Sequence, residues 1–431
     1  MLTLLITLDC VRDDHVGTGL TPNLDALAPT WTTFTQAFAQ SQNTLSSHLS
    51  MLTSNYLFQH GVYSNYVHKS LPPHALTRRL NQEGWETRAF TSIDFLALLL
   101  GNHVGEADPR FPMTADRSLK ARVRRRFHGR RASAEKTLRA ALRWLGLPSR
   151  GRDVFLWVHL FDAHMPYEAP SHYLRRHVPY QKAGTPLREQ IARRGWFSPD
   201  FPEYGWRVPL ENFPQRYRAA VSYIDACLGR FFGQLQAYNW WEDALVFVTA
   251  DHGECLLGDH GVYCAHKKLF DTTVKVPLRV KFPRGKFAGD RVDAIVQHVD
   301  IAPTVAAQAG FEEPLYMGHD LRKVAWGRAH GHPVAFAEHV DNFLRAVRDR
   351  DYLYVERVPG SENKWNLAME PGDFFTRDAA PAPLEAAAEA SRLKRQMEDV
   401  LTSRPDVQEA WGTGASADSE VAERLKELGY M

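Results

Sequence analysis

Residues 2–8 form a mainly apolar run containing β-branched residues (Thr3, Ile6, Thr7) that stops at Asp9, the pattern of a strand buried on both faces. Residues 21–27 predict a helix start, with Thr21 as cap and Pro22 in the first turn. Residues 34–38 suit a short strand. After Asn43, the positions of Leu45, Leu49 and Leu52 recur at helical spacing. An amphipathic helix over 74–84, stopped by Gly84, leads to a strand over 86–91. Residues 153–160 predict another buried strand. Residues 217–238 predict a long helix with Val221, Ile224, Leu228 and Leu235 on one face. Residues 244–250 are the clearest strand, ending in Asp251. Residues 276–282 predict a further strand and 300–310 a helix.

This alternation predicts an α/β fold, a sandwich around a mixed, mostly parallel central sheet. Beyond residue 330 the pattern changes. Strands at 334–338, 343–348 and 352–358 look antiparallel, and helices follow near 383–402 and 417–428. The expected division is a catalytic domain over 1–325, interrupted by a basic insertion at about 113–150, and a smaller α+β subdomain over 326–431. Residues 170–215 show little periodicity and predict an excursion over the substrate side.

Composition changes this picture little. The 431 residues are 44% hydrophobic and 24% charged, as in ordinary soluble globular proteins. A net charge of +2 points to no polyanionic partner. The local run from Arg117 to Arg131 holds no acid, but a solvated insertion accounts for it better than a nucleic-acid site does. The four cysteines, Cys10, Cys227, Cys255 and Cys264, have no CxxC spacing and imply neither a disulfide framework nor a zinc knuckle. No secretory signal or membrane span is visible, which predicts a reduced, cytoplasmic protein; an oligomer is compatible with the sequence.

Chemistry gathers at the strand ends. Asp9 closes one predicted strand, and Asp251-His252 closes another. Ligands in open α/β sheets bind at that edge. Thr44 stands at the mouth of a predicted helix, where N–H groups and the helix dipole favour an anion. Together Asp9, Thr44, Asp251 and His252 offer three oxygens and one imidazole nitrogen for a divalent ion. Such an ion would lower the hydroxyl pKa of Thr44 and neutralise charge on an oxyanion ester. Each residue alone has an ordinary structural role, so the weight lies in their joint occurrence.

The motifs resemble the sulfatase branch of the alkaline phosphatase superfamily. The resemblance is carried by residues 5–15 (LITLDCVRDDH), 21–27 (TPNLDAL), 34–38 (FTQAF), 161–167 (FDAHMPY), 249–254 (TADHGE), 269–277 (LFDTTVKVP) and 299–304 (VDIAPT), in the right order. Residues 105–150 and 170–215 lie outside it. The resemblance implies an alkaline-phosphatase-like fold, with Asp9, Thr44, Asp251 and His252 holding one metal ion and Thr44 acting as nucleophile. It places His48 in support of the nucleophile, and His164 and His266 against the substrate oxyanion or leaving group. Lys267 or Lys268 stands as an alternative to His266, and Arg12 as a substrate ligand. Glu254 and Asp259 are expected to support the metal loop, and His60 and His260 to hold loops by hydrogen bonds.

Two departures from the family pattern matter. Sulfatases carry Cys or Ser as nucleophile, followed by Pro and Arg at two-residue steps, for conversion to formylglycine; here Thr44, Ser46 and His48 stand at those positions. Thr cannot become that aldehyde. Cys10 replaces a second Asp, and His252 stands where calcium-type members carry Asn. Calcium favours six to eight oxygens, so this donor set implies Mn²⁺ or Zn²⁺ rather than Ca²⁺. A second ion held by Asp162, His164 and His266 is the less favoured arrangement, and Cys10 is expected to be a packing residue rather than a soft ligand.

The implied function is metal-dependent hydrolysis of phosphate mono- or diesters, or of phosphonate or sulfate esters, through a covalent Thr44 intermediate. The alternatives are a phospho-group transferase on the same site and a sulfate-ester hydrolase independent of formylglycine. The substrate would be a small-molecule or a sugar- or lipid-linked anionic ester.

Overall fold

A computed structural model describes residues 1–63, 65, 71–93, 96, 132–146, 151–167, 169–178, 196–197, 212–260, 262–266, 268–339, 344–357, 374–376, 380, 382–383 and 386–402. Its strands are β1 (Leu2–Leu8), β2 (Thr32–Phe38), β3 (Glu86–Thr91), β4 (Val154–Leu160), β5 (Trp196–Phe197), β6 (Leu245–Ala250), β7 (Cys255–Asp259), β8 (Val262–Ala265), β9 (Leu278–Lys281), β10 (Arg291–Gln297), β11 (Ala335–His339), β12 (Leu344–Arg348), β13 (Tyr352–Arg357) and β14 (Phe374–Thr376).

Seven of them form the central sheet in the order β10-β2-β9-β6-β1-β4-β3. The pairs β1–β4, β1–β6, β3–β4 and β2–β10 are parallel, while β9 runs antiparallel to both β2 and β6. The sheet is therefore mixed and mostly parallel, as the sequence predicts. Strands β1, β4 and β6 are buried along their whole length, as their predominantly apolar sequences require. β10 has no counterpart among the sequence expectations. Its first half alternates exposed and half-buried residues, including Arg291 and Asp293, so it lacks the apolar run of an interior strand.

Helix Thr44–Thr53 is buried at every position despite its hydroxyls. The hydroxyls are satisfied one by one. Ser46 donates to the Val62 carbonyl at 2.7 Å, Ser47 to the Asp251 carbonyl at 2.6 Å and Thr53 to the Leu49 carbonyl at 2.7 Å. Asn43 caps the helix, its side chain accepting from the Ser46 N–H.

Part of the expected basic insertion turns out to belong to the core. Residues Ala134–Leu145 form a helix whose Leu138, Ala141 and Leu145 stripe joins the main hydrophobic cluster. The charged run 117–131 itself lies outside the described residues, as does the predicted helix at 417–428.

The C-terminal strands form a separate antiparallel sheet, β11-β12-β13-β14. Helix Ala387–Thr402 covers one face through Leu393 and Met397, which pack with Phe336, Val347 and Tyr354. The other face joins Phe38, Leu269, Phe270 and Val274 of the main body. This is the smaller α+β subdomain the sequence predicts. No helix among the described residues is long and apolar enough to cross a membrane.

Candidate active site

Parallel strands bring their carboxyl ends to one edge. Thr7 of β1 pairs with Thr249 of β6, so Asp9 and Asp251, two residues further on in each chain segment, arrive side by side. His252 follows at once. Ligand atoms of Asp9, Asp251 and His252 lie within 4.8 Å of one another, and all three residues are fully buried.

The hydrogen bonding leaves this cluster incomplete. Asp251 Oδ1 accepts from the backbone N–H groups of Cys10 at 3.1 Å and of His252 at 2.8 Å. Among the described residues, Asp251 Oδ2 and both Asp9 oxygens accept no hydrogen bond. Burial, and next the charge of Asp9, push the Asp251 carboxyl above its ordinary range. The His252 Nδ1–H donates to the Gly253 carbonyl at 2.9 Å, which leaves Nε2 as the lone-pair nitrogen. That nitrogen lies 3.3 Å from Thr44 Oγ1, at the head of its helix. Two adjacent buried carboxylates with open lone pairs, an imidazole lone pair and a hydroxyl fit a divalent cation, and without one the buried charge is costly.

The loops around the cluster are tightly held. Tyr217 donates from its hydroxyl to the Cys10 carbonyl at 2.8 Å and accepts from the Arg12 N–H at 2.9 Å. Cys10 adopts a left-handed backbone with φ of 61°. Its thiol is buried, and burial followed by the nearby carboxylates Asp9, Glu254 and Asp251 pushes its pKa up. The Cys10 sulfur can nonetheless group with Asp9 and His164, or with His252 and His266, at ligand spacing. Gly253 donates to the Thr273 carbonyl at 2.8 Å, and a Cβ there would meet the Thr272 carbonyl oxygen at 2.1 Å.

The structure places the other expected residues with mixed results. His164 and His266 flank the cluster, with the His266 ring 4.3 Å from that of His252 and 6.0 Å from that of His164. The His164 Nδ1–H donates to the Met165 carbonyl at 2.8 Å. His48 reaches Thr44 through the backbone: its Nδ1 lies 2.7 Å from the Thr44 carbonyl oxygen, and its Nε2 lies 3.0 Å from Thr7 Oγ1. Burial holds its pKa down at about 3. Arg12 is engaged by Asp14 at 2.6 and 2.9 Å and by Asp259 at 2.7 Å, so it braces the loop after β1. Asp162 accepts from the Ala134 N–H at 2.9 Å and caps that helix, and none of the metal-spaced groups among the described residues includes it. His60 accepts from the Val62 N–H at 3.1 Å, the loop-holding bond expected of it. Lys267 lies outside the described residues; Lys268 is buried, its ammonium 5.9 Å from the centre of the Phe270 ring.

Sequence reasoning passes over a polar layer beneath the cluster. Thr7 Oγ1 is approached by Trp157 Nε1 at 3.0 Å, His48 Nε2 at 3.0 Å and His159 Nδ1 at 3.1 Å. His159 is fully buried, its pKa held down at about 4 by burial, and its Nε2 is 3.2 Å from Asp9 Oδ2. The signal in the sequence is a lone His one residue from the end of an otherwise apolar strand, at the sheet edge that carries Asp9.

Fold and site together define an α/β sandwich with a group of residues at metal-binding spacing on its strand edge. Residues 2–311 match the sulfatase family model, and the chain belongs to that family, in the alkaline phosphatase superfamily of ester hydrolases. It is 29% identical over 190 residues to an uncharacterized sulfatase, YidJ, of Escherichia coli K12, covering 42% of this chain and 37% of that protein. It is 33% identical over 276 residues to the multifunctional alkaline phosphatase superfamily protein PehA of Trinickia caryophylli, covering 54% and 53% respectively. The chain thus spans about half or less of these curated relatives. A phosphonate monoester hydrolase from Silicibacter pomeroyi shares the fold, with a TM-score of 0.69, 19% identity, and coverage of 95% of this chain and 96% of that one.

Proposed function

We propose that this protein hydrolyses phosphate mono- or diesters, or the related phosphonate esters, with Thr44 as nucleophile. The observation that carries the reading is Thr44 Oγ1 at the head of a buried helix, 3.3 Å from the His252 lone-pair nitrogen and in the strand-edge cluster where three Asp9 and Asp251 oxygens accept no hydrogen bond among the described residues. Asp9, Asp251, His252 and the Thr44 hydroxyl would hold one divalent ion, Mn²⁺ or Zn²⁺ by the chemistry of the donors. Once bound, that ion lowers the hydroxyl pKa of Thr44 and neutralises charge on the substrate oxyanion.

The Thr44 oxygen, its proton lost to solvent, attacks phosphorus, and the bond from phosphorus to the departing alcohol oxygen breaks. His266 or His164 gives that oxygen its proton. Water then cleaves the Thr44 phosphoester and regenerates the hydroxyl. His48 fixes the backbone of Thr44 and leaves its hydroxyl untouched. Arg12 holds the loop that presents Asp9. The substrate is an anionic ester of a small molecule or of a sugar or lipid.

The sulfatase family match and YidJ support a second reading, sulfate-ester hydrolysis, which in this chain would have to proceed without formylglycine. A panel of phosphate monoesters, phosphate diesters, phosphonates and sulfate esters, assayed with added Mn²⁺ or Zn²⁺, separates the two. Preference for phosphoryl substrates is expected, and preference for sulfate esters would overturn it. Thr44→Ala is expected to lower turnover by about 10³-fold or more while leaving the melting transition in place. Full activity in that variant would remove Thr44 from the mechanism.

A further inference from the structure

We propose that Asp9, Cys10 and His164 hold a second ion, a soft divalent cation such as Zn²⁺, beside the one at Asp9, Asp251 and His252. This rests on the first-ion reading only through Asp9, which the two ions would share.

Strand register brings the donors together. Leu8 of β1 pairs with Leu160 of β4, and the Asp9 N–H donates to the Leu160 carbonyl at 2.8 Å, so the two segments leave the sheet side by side. Asp9 and Cys10 follow on one, and the Phe161–His164 turn follows on the other. A carboxylate oxygen of Asp9, the Cys10 sulfur and an imidazole nitrogen of His164 lie within 4.8 Å of one another.

Two observations set this group apart from ordinary packing. Cys227 and Cys264 belong to the main hydrophobic cluster and Cys255 to a smaller one. Cys10 is completely buried, yet it belongs to no hydrophobic cluster among the described residues. Its backbone is gripped on both sides, the N–H by Asp251 Oδ1 and the carbonyl by the Tyr217 hydroxyl. The second observation is Asp9, fully buried, whose two oxygens accept no hydrogen bond among the described residues. His159 Nε2 comes within 3.2 Å of Oδ2 without making one. An ion bound through one oxygen leaves the other unsatisfied, whereas a carboxylate bridging two ions uses both.

His164 is prepared in the same way as His252. Each ring donates from Nδ1 to the carbonyl of the next residue, Met165 at 2.8 Å and Gly253 at 2.9 Å, which makes Nε2 the lone-pair nitrogen of the neutral imidazole. The Phe161 ring stacks on that of His164 at 4.3 Å and 17°, which fixes its plane. A thiolate, an imidazole and a carboxylate suit Zn²⁺ better than Mn²⁺, and three protein ligands leave a fourth tetrahedral position for water or a substrate oxygen. Binding sends the Cys10 thiol proton to solvent. His266 stays outside the set and keeps the role of proton donor to the departing oxygen.

The test uses the full chain, stripped with chelator and reloaded with Zn²⁺ or Co²⁺. Two tightly bound equivalents of Zn²⁺ are expected, with sulfur at about 2.3 Å in X-ray absorption. Co²⁺ should give a thiolate-to-metal charge-transfer band in the near ultraviolet. Cys10→Ala should lose that band and keep one equivalent. His164→Asn should weaken the second ion more than about 100-fold in chelator competition, beyond the 10–100-fold cost of losing an outer partner. His266→Asn should keep both ions and the band; loss of the second ion there, with His164→Asn unaffected, would overturn the assignment of His164. If Cys10→Ala does not fold, the wild type and the two histidine variants decide. One equivalent without sulfur would overturn the second site and leave the first standing. One equivalent with sulfur would overturn it in favour of Cys10 as a ligand of a single ion. Two equivalents without the band would move the second ion away from Cys10 and overturn it as well. Failure to bind any ion would overturn both readings.

Discussion

Glu338 in β11 and Asp9 beyond β1 are both fully buried, yet their oxygens meet very different surroundings. Glu338 accepts from the Phe58 N–H at 2.7 Å, the Tyr63 hydroxyl at 3.0 Å and Arg345 Nε at 3.0 Å. Asp300 is similarly served, by the N–H groups of Gln297 and His319 and by His332 Nε2, each at 2.7 Å. Among the described residues, Asp9 accepts no hydrogen bond on either oxygen, and Asp251 accepts none on Oδ2. The first kind of carboxylate ties segments together: Glu338 joins the loop after helix Thr44–Thr53 to the C-terminal sheet. The second kind is left open at a cost, and openness at a strand edge is what a metal corner needs. A buried acid is therefore best judged by what its oxygens lack.

The sharpest way to break this contrast is Glu338→Ala. It leaves the Arg345 guanidinium without its carboxylate and is expected to cost about 3–5 kcal/mol in denaturant unfolding. Metal affinity should be unchanged, because none of its contacts touches the metal corner. The opposite result is expected at the open site. Saturation with Mn²⁺ or Zn²⁺ at about 100 times the dissociation constant should stabilise the wild type by about 2.7 kcal/mol, read from unfolding with and without chelator. Asp251→Asn should remove that increment, and the chelated variant should be at least as stable as the chelated wild type, since an uncompensated buried charge has gone. A chelated variant far less stable than its parent would mean that the carboxylate is structural after all.

A smaller effect separates proton from metal. His298 lies within hydrogen-bond reach of Ser47 and Thr249, and burial holds its pKa at about 3. A folded-state pKa below the unfolded value near 6.5 means that the unfolded chain takes up the proton first. Its contribution is complete above about pH 6.5 and is lost as pH falls toward about 3. His298→Gln should flatten the unfolding curve in that window; an unchanged slope would place the acid sensitivity elsewhere.

How much of this was visible in the chain follows from where the information lies. Strands β1, β4 and β6 are written locally as apolar runs, and their terminal Asp9 and Asp251-His252 mark the edge where ligands gather. Thr44 was visible as a hydroxyl at a helix mouth. The reversed direction of β9 was not, because its four residues carry no sign of polarity. β10 was hidden by Arg291 and Asp293 on its solvent side. Asp162 belonged only to the less favoured second-ion arrangement, and its carboxylate accepts from the first N–H of a helix in another segment, a contact that no local spacing could show. His48 has the right position for a nucleophile's neighbour, yet helical geometry at four residues' distance sends its Nδ1 to the Thr44 carbonyl. His159 was missed because a single His in a strand gives no partner; only the register with Thr7 supplies one.

Gly253 makes the strand-edge cluster depend on the C-terminal sheet. The segment it rests against, around Thr272 and Thr273, is followed by Val274 and preceded by Phe270, both packed into the cluster that includes Leu344, Leu353 and Val355 of the C-terminal sheet. The alignment of His252 is thus inherited from residues about a hundred positions downstream. During synthesis, helix Thr44–Thr53 and both aspartates leave the ribosome long before the segment that aligns His252 has the sheet it packs on.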